Sequence, residues 1–173
     1  DHRDLHSFPT RRSSDLSNFP SAYRTKETAD LFLLYIIAML KPHGRCGVVL
    51  PDGALFGEGV KTRIKEKLMT DCNLHTIIRL PKSVFAPYTS INTNLLFFTK
   101  GEPTKEIWFY RLDMPEGYKN FSKTKPMKRE HLQPIDEWWN NRKKIENDGF
   151  FKSKKYSIDE IKERNYNLDL CGY

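Results

Sequence analysis

At 173 residues, with 38% hydrophobic and 29% charged side chains, the chain has the length of one domain and enough apolar matter for a core, which excludes a disordered or low-complexity protein. A formal charge of +7 and a sequence pI of about 9.3 favour a polyanionic partner such as nucleic acid. The longest apolar run, residues 31–40, is half of the ~20 residues a membrane-spanning helix needs, and no secretory signal is visible, so the expectation is a cytoplasmic protein without a membrane partner.

In chain order, residues 1–16 show no periodicity, and HSFPTRRSSDL (residues 6–16) is similar to the translation of a common sequencing adapter. That segment is set outside the fold as non-native. From Thr25 the text becomes helical: Thr25 can cap, Glu27 and Asp30 suit the positive end, and LFLLYIIAML is apolar nearly all round until Pro42 and Gly44 stop it. CGVVL (residues 46–50) predicts a strand closed by the turn-forming trio Pro51, Asp52 and Gly53. Residues 60–70 predict an amphipathic helix with Val60, Ile64 and Leu68 on one face. A second strand, 76–80, completes a strand–helix–strand crossover of the kind that pairs in parallel. The third strand, 94–99, arrives without a helix and is expected to run antiparallel to its predecessor. Residues 106–112 predict a further edge strand, and 114–134 an irregular polar excursion. IDEWWNNRKKIEN (135–147) predicts a helix burying Trp138, Trp139 and Ile145, and Ser157 with Glu160 has capping-box spacing for a last helix to Arg164. The expected fold class is α/β, a mostly parallel sheet with an antiparallel last strand.

Residues 80–100 (LPKSVFAPYTSINTNLLFFTK) organise these elements. Between two buried strands lies a loop with no helical period, carrying Lys82, Phe85, Pro87, Tyr88, Asn92 and Asn94, the composition of a binding loop on a rigid sheet. Tyr88, Asn92 and Asn94 can contact a base or phosphate, or simply stabilise the loop. Pro51, Asp52 and Gly53 sit at the carboxyl end of a predicted strand, where open α/β sheets place ligands; they read equally as a pocket edge or as a plain turn. Lys82 and Lys100 flank the loop and can meet phosphates, whereas the basic runs 61–67 and 119–129 read as solvated faces. Cys46, Cys72 and Cys171 form no CxxC pair and read as reduced thiols, and His43, His75 and His131 are too dispersed for a metal cluster.

The strings RTKETADLFLLYIIAMLK, VVLPDGALFGEG, CNLHTIIRLPKSVFAPYTSINTNLLFFTKGEPTKEIWFY, PEGYKNFSKTKP and RNYNLD occur in order between residues 18 and 169. Together they resemble the C-terminal part of the modification subunit of a type I restriction–modification system, similar to adenine-specific DNA methyltransferases of the amino-methylating class. The resemblance implies a partial Rossmann-like methyltransferase sheet, with 17–112 the C-terminal half of the catalytic domain and 113–173 an extension, irregular and then helical. It also implies methyl transfer from S-adenosylmethionine to adenine N6 in double-stranded DNA, with no metal, beside a specificity subunit and a restriction subunit. The family's NPPF tetrapeptide and glycine-rich donor loop are absent, and NFP at 18–20 lacks the paired prolines, so no catalytic residue is assigned and the fragment alone is expected to be inactive. Phe85, in SVFAP, takes by resemblance the role of stacking face for a base turned out of the duplex, with Tyr88, Asn92 and Lys82 as further DNA contacts. The competing expectation is a noncatalytic DNA-binding or subunit-docking module built on the same fold.

Overall fold

A computed structural model describes residues 20–25, 27–147 and 149–171. The adapter-like segment 1–16 and the first two residues of NFP lie outside the described residues. Helix α1 (Thr28–Met39) starts two residues later than a Thr25 cap suggests, with Glu27 in the cap position. Thr25 Oγ1 instead accepts from the Glu27 amide at 3.1 Å, ordering the approach to the helix. Asp30 is buried in the first turn and pairs with Lys61 Nζ at 2.7 Å, so its charge ties α1 to helix α3 (Val60–Asp71). Leu33, Leu34 and Ile37 enter the core, but Phe32, Tyr35 and Met39 are 54%, 55% and 64% exposed, so the helix is two-faced rather than buried all round.

Strand β1 (Arg45–Pro51) runs directly into a short helix, α2 (Asp52–Phe56); the expected Pro51–Asp52–Gly53 turn is therefore a strand end and a helix start. After α3 come β2 (Cys72–Arg79), β3 (Thr93–Lys100) and β4 (Glu106–Arg111), then α4 (Gln133–Asn140), β5 (Ile145–Asn147), β6 (Phe150–Ser157) and α5 (Ile158–Glu163). The six strands form one sheet in the order β1-β3-β2-β4-β6-β5.

The sheet is mostly antiparallel, which corrects the expected mostly parallel one: among neighbours, β2–β4 is parallel and the other four pairs are antiparallel. The α3 crossover does bring β2 back in the direction of β1. Strand β3, however, inserts between them, pairing antiparallel with both, Val49 opposite Leu95 on one side and Ile78 opposite Leu95 on the other. The antiparallel relation of the third strand to the second is as the missing helix predicted. Strand β4 is interior rather than an edge, because β6 pairs along its other side.

The long helix predicted over 135–147 stops at Asn140. Asn141 (φ −140°, ψ 63°) leaves the helical region, and Ile145 enters β5, which hairpins with β6. Trp138 is held on the sheet by its Nε1, which donates to the buried Ser153 Oγ at 2.9 Å. The capping box before α5 forms as its spacing predicts: the Glu160 amide donates to Ser157 Oγ at 3.2 Å, and the Ser157 amide to Glu160 Oε2 at 2.7 Å. One sheet face buries Leu74, Leu96, Phe98 and Ile107 against α1, α3 and α5; the other buries Ile78, Leu80, Tyr110 and Leu112 with Ile135 and Trp138 of α4. Among the described residues no helix is long and apolar enough to cross a membrane.

Candidate functional site

The loop between β2 and β3 leaves the sheet where the carboxyl end of β1 also lies, and both of its feet are tied down. The Leu80 amide donates to the Thr93 carbonyl at 3.0 Å, and the Asp52 amide to the Asn92 carbonyl at 3.1 Å. Between the feet the chain folds on itself: Ala86 N donates to Ser83 O at 3.0 Å, Tyr88 N to Phe85 O at 2.9 Å, and Ile91 N to Thr89 Oγ1 at 3.1 Å. Ser83 accepts a left-handed backbone (φ 58°) to make the bend. Pro81 is buried beneath, while Lys82 is exposed, Phe85 is 40% exposed and Tyr88 92%. The structure thus brings Asn92 against Asp52 through the backbone and leaves Lys82, Phe85 and Tyr88 on the surface of a hydrogen-bonded loop.

Under the loop's feet lies a polar latch. Asp52 Oδ1 accepts from Asn94 Nδ2 at 2.6 Å, and its Oδ2 from an Arg79 guanidinium nitrogen at 3.1 Å. The other terminal nitrogen of Arg79 donates to Asp169 Oδ1 at 2.8 Å, and the guanidinium lies 4.9 Å from the centre of the Phe56 ring. Burial works against the Arg79 charge, but the two carboxylates outweigh it and hold its pKa above the usual value. Residues from α2, β2, β3 and the C-terminal segment are thereby fixed to one another.

Two sequence candidates are reassigned by this geometry. Asn94 is buried and commits its amide to Asp52, so it belongs to the latch rather than to a DNA-contacting surface. Lys100 ends β3 at the end of the strands opposite the loop, and its Nζ donates to the Ile37 carbonyl of α1. Conversely, Arg79 and Asp169 were not singled out. An arginine closing the apolar strand text TIIR was the available signal; its pairing 90 residues downstream leaves no local pattern.

Two hollows lie among these elements. Beside Arg79 and Asn94 there is a hole of only about 10 Å³. A cavity of about 370 Å³ between α4 and β5 has Glu137, Lys143 and Lys152 in its lining, with Lys152 paired to Asp113 at 2.7 Å. Cys171, next to the latch, has its thiol pushed up to about 11 by burial and is not nucleophilic at neutral pH. Among the described residues no three His, Cys, Asp or Glu side chains are grouped to hold a metal.

A family profile described as N-6 DNA Methylase matches residues 10–173. The methylase subunit of the type I restriction enzyme EcoEI from Escherichia coli is 57% identical over 159 residues, 88% of this chain and 32% of that protein. The solved structure of a modification subunit assigned to a type I restriction enzyme of Vibrio vulnificus YJ016 superposes with a TM-score of 0.79 at 46% identity, covering 87% of this chain and 31% of that one. The M protein of the type I restriction enzyme EcoKI superposes with a TM-score of 0.71 at 29% identity, covering 85% of this chain and 38% of that one. The chain spans about a third of the length of the proteins it matches.

Proposed function

The chain belongs to the N-6 DNA methylase family, and from that premise we propose that it is the C-terminal part of a modification subunit that transfers a methyl group from S-adenosylmethionine to adenine N6 in double-stranded DNA. By the family resemblance, the donor-binding loop is assigned to residues upstream of this part. What the chain itself contributes is the wall that receives the base. The observation carrying this reading is Phe85, 40% exposed on a loop whose feet are hydrogen-bonded to the ends of β1 and β3. A ring fixed in that way can stack on an extruded adenine without first being ordered, and stacking is worth ~1–3 kcal/mol per base. The specificity subunit and the restriction subunit are the partners of the whole assembly, and this part acts within it rather than alone.

Phe85→Ala in the full-length protein is expected to weaken capture of the flipped adenine by ~5- to 150-fold, the equivalent of that stacking energy, with Phe85→Trp restoring it. Fluorescence of 2-aminopurine at the target position reads base capture, and methyl incorporation reads turnover. If both are unchanged in Phe85→Ala, the stacking role is wrong. A second reading, a binding or docking module without chemistry on the same fold, fits the +7 charge equally well; it predicts duplex binding by a full-length protein that never transfers a methyl group.

A further inference from the structure

We propose that the lysine-rich excursion between β4 and α4 is a second DNA-contacting loop, in which Lys119 and Lys123 bind duplex phosphates beside the base-receiving loop; this rests on the DNA-methylase reading above. The excursion holds Lys119, Lys123, Lys125, Lys128 and Arg129 against Asp113, Glu116 and Glu130, of which Asp113 is taken up by Arg111 and Lys152. In the sequence it has the look of a solvated charge run. The structure shows it to be built. The Phe121 amide donates to Ser83 Oγ at 2.8 Å, joining the excursion directly to the Phe85 loop two residues before the aromatic ring. Phe121 is itself buried, with the His131 ring 5.5 Å away and the Tyr118 ring 5.5 Å away. Val84 from one loop and Met127 and Leu132 from the other pack on the same apolar cluster.

The cations on this platform are not equivalent. Lys125 Nζ donates to the Gly117 carbonyl at 2.9 Å and lies 3.9 Å from the Tyr118 ring centre. Lys128 pairs with Glu130 and Arg129 with Asp136. Lys119 and Lys123 are exposed, and among the described residues no carboxylate pairs with either. Each is two residues from Phe121, so its backbone lies within roughly 7 Å of the joint to the Phe85 loop. Across the two loops this places the Cα atoms of both lysines within roughly 20 Å of that of Phe85, a span over which a duplex presents on the order of ten phosphate charges. Phosphate contacts of this kind fix register on the duplex and carry no sequence preference.

The test is the salt dependence of duplex binding by the full-length protein that carries this part, read by anisotropy of a labelled duplex without methyl donor. Three proteins are compared: the wild type, K119Q/K123Q, and K41Q/K162Q, which loses the same charge from exposed sites on the α1–β1 connection and α5. Loss of two phosphate contacts flattens the slope of log K against log salt by about 1.8. The proposal expects that change in K119Q/K123Q and a wild-type slope in K41Q/K162Q. An unchanged slope in K119Q/K123Q, an equal change in both doubles, or a wild-type protein that does not bind duplex overturns it. Circular dichroism confirms folding, and Lys119→Glu and Lys123→Glu, each expected to weaken binding by itself, serve if the double variant fails to fold. Failure here leaves Phe85 and methyl transfer untouched, whereas failure of the methylase reading appears in the full-length turnover assay and not in this slope.

Discussion

Arg79 faces two carboxylates that are not alike. Asp52 is largely shielded, shares the latch with buried Asn94 and starts α2, whereas Asp169 is about half exposed near the end of the chain. Removing the guanidinium therefore strands Asp52 next to an apolar core, while removing Asp169 gives up one screened contact. Arg79→Met is expected to cost about 3 kcal/mol of unfolding free energy, and Asp169→Ala no more than about 1 kcal/mol. Urea unfolding of the two variants measures this, and equal costs would show that the latch is not centred on Asp52. At this scale the sequence was partly legible. Phe85, Tyr88 and Lys82 could be picked out because a loop between two buried strands must be at the surface, and they are exposed there. The roles of Asn94 and Lys100 could not, because each is decided by a partner distant in sequence, Asp52 and Ile37.

Elements with a clean hydrophobic period came through from the text: α3, β1, β2 and β3 lie within a few residues of where pattern places them. The β5–β6 hairpin did not. FFKSKKYS has three lysines in eight strand residues, a composition that argues against a strand until the stems find rings to lie on. Lys154 Nζ sits 4.4 Å from the Tyr156 ring centre and 4.8 Å from that of Phe151, and Lys152 Nζ pairs with Asp113 at 2.7 Å. The helix predicted through Ile145 failed for a related reason: α4 is anchored by the Trp138–Ser153 hydrogen bond, and the chain beyond it is claimed by the hairpin. That bond is buried on both sides, so Ser153→Ala, which leaves the indole N–H without its partner, is expected to cost about 1–2 kcal/mol. A urea midpoint identical to wild type would mean that α4 is held by packing alone.

For the molecule as a whole, the strand order mattered more than any strand. Direction could be inferred, since a helix between β1 and β2 and none between β2 and β3 set their relative sense. Adjacency could not, because β3 slides between β1 and β2 by pairings that no local pattern records. Among the described residues, the same architecture leaves β1 on an outer edge of the sheet with no strand paired on its far side, and α1 carries exposed Phe32, Tyr35 and Met39. Open strand edges and contiguous apolar residues promote self-association. The chain is expected to associate as concentration rises through the micromolar range, and Phe32→Glu with Met39→Lys to shift it toward monomer, as read by sedimentation velocity. A wild-type chain that stays monomeric at all loadings would show that this face is not sticky.

The insertion of β3 also has a consequence in time. A ribosome delivers β1, α3 and β2 before it delivers β3, so the two outer partners exist before the strand that belongs between them. At about 5–20 residues per second, the 21 residues from Arg79 to Lys100 take about 1–4 s to emerge. Until β3 has emerged, β1 and β2 lack the strand that hydrogen-bonds to both of them, so this half of the sheet closes only once Lys100 is delivered. The loop bearing Phe85 is the connection by which the chain turns back to lay β3 between β1 and β2, and both of its feet are tied down only when that strand is in place.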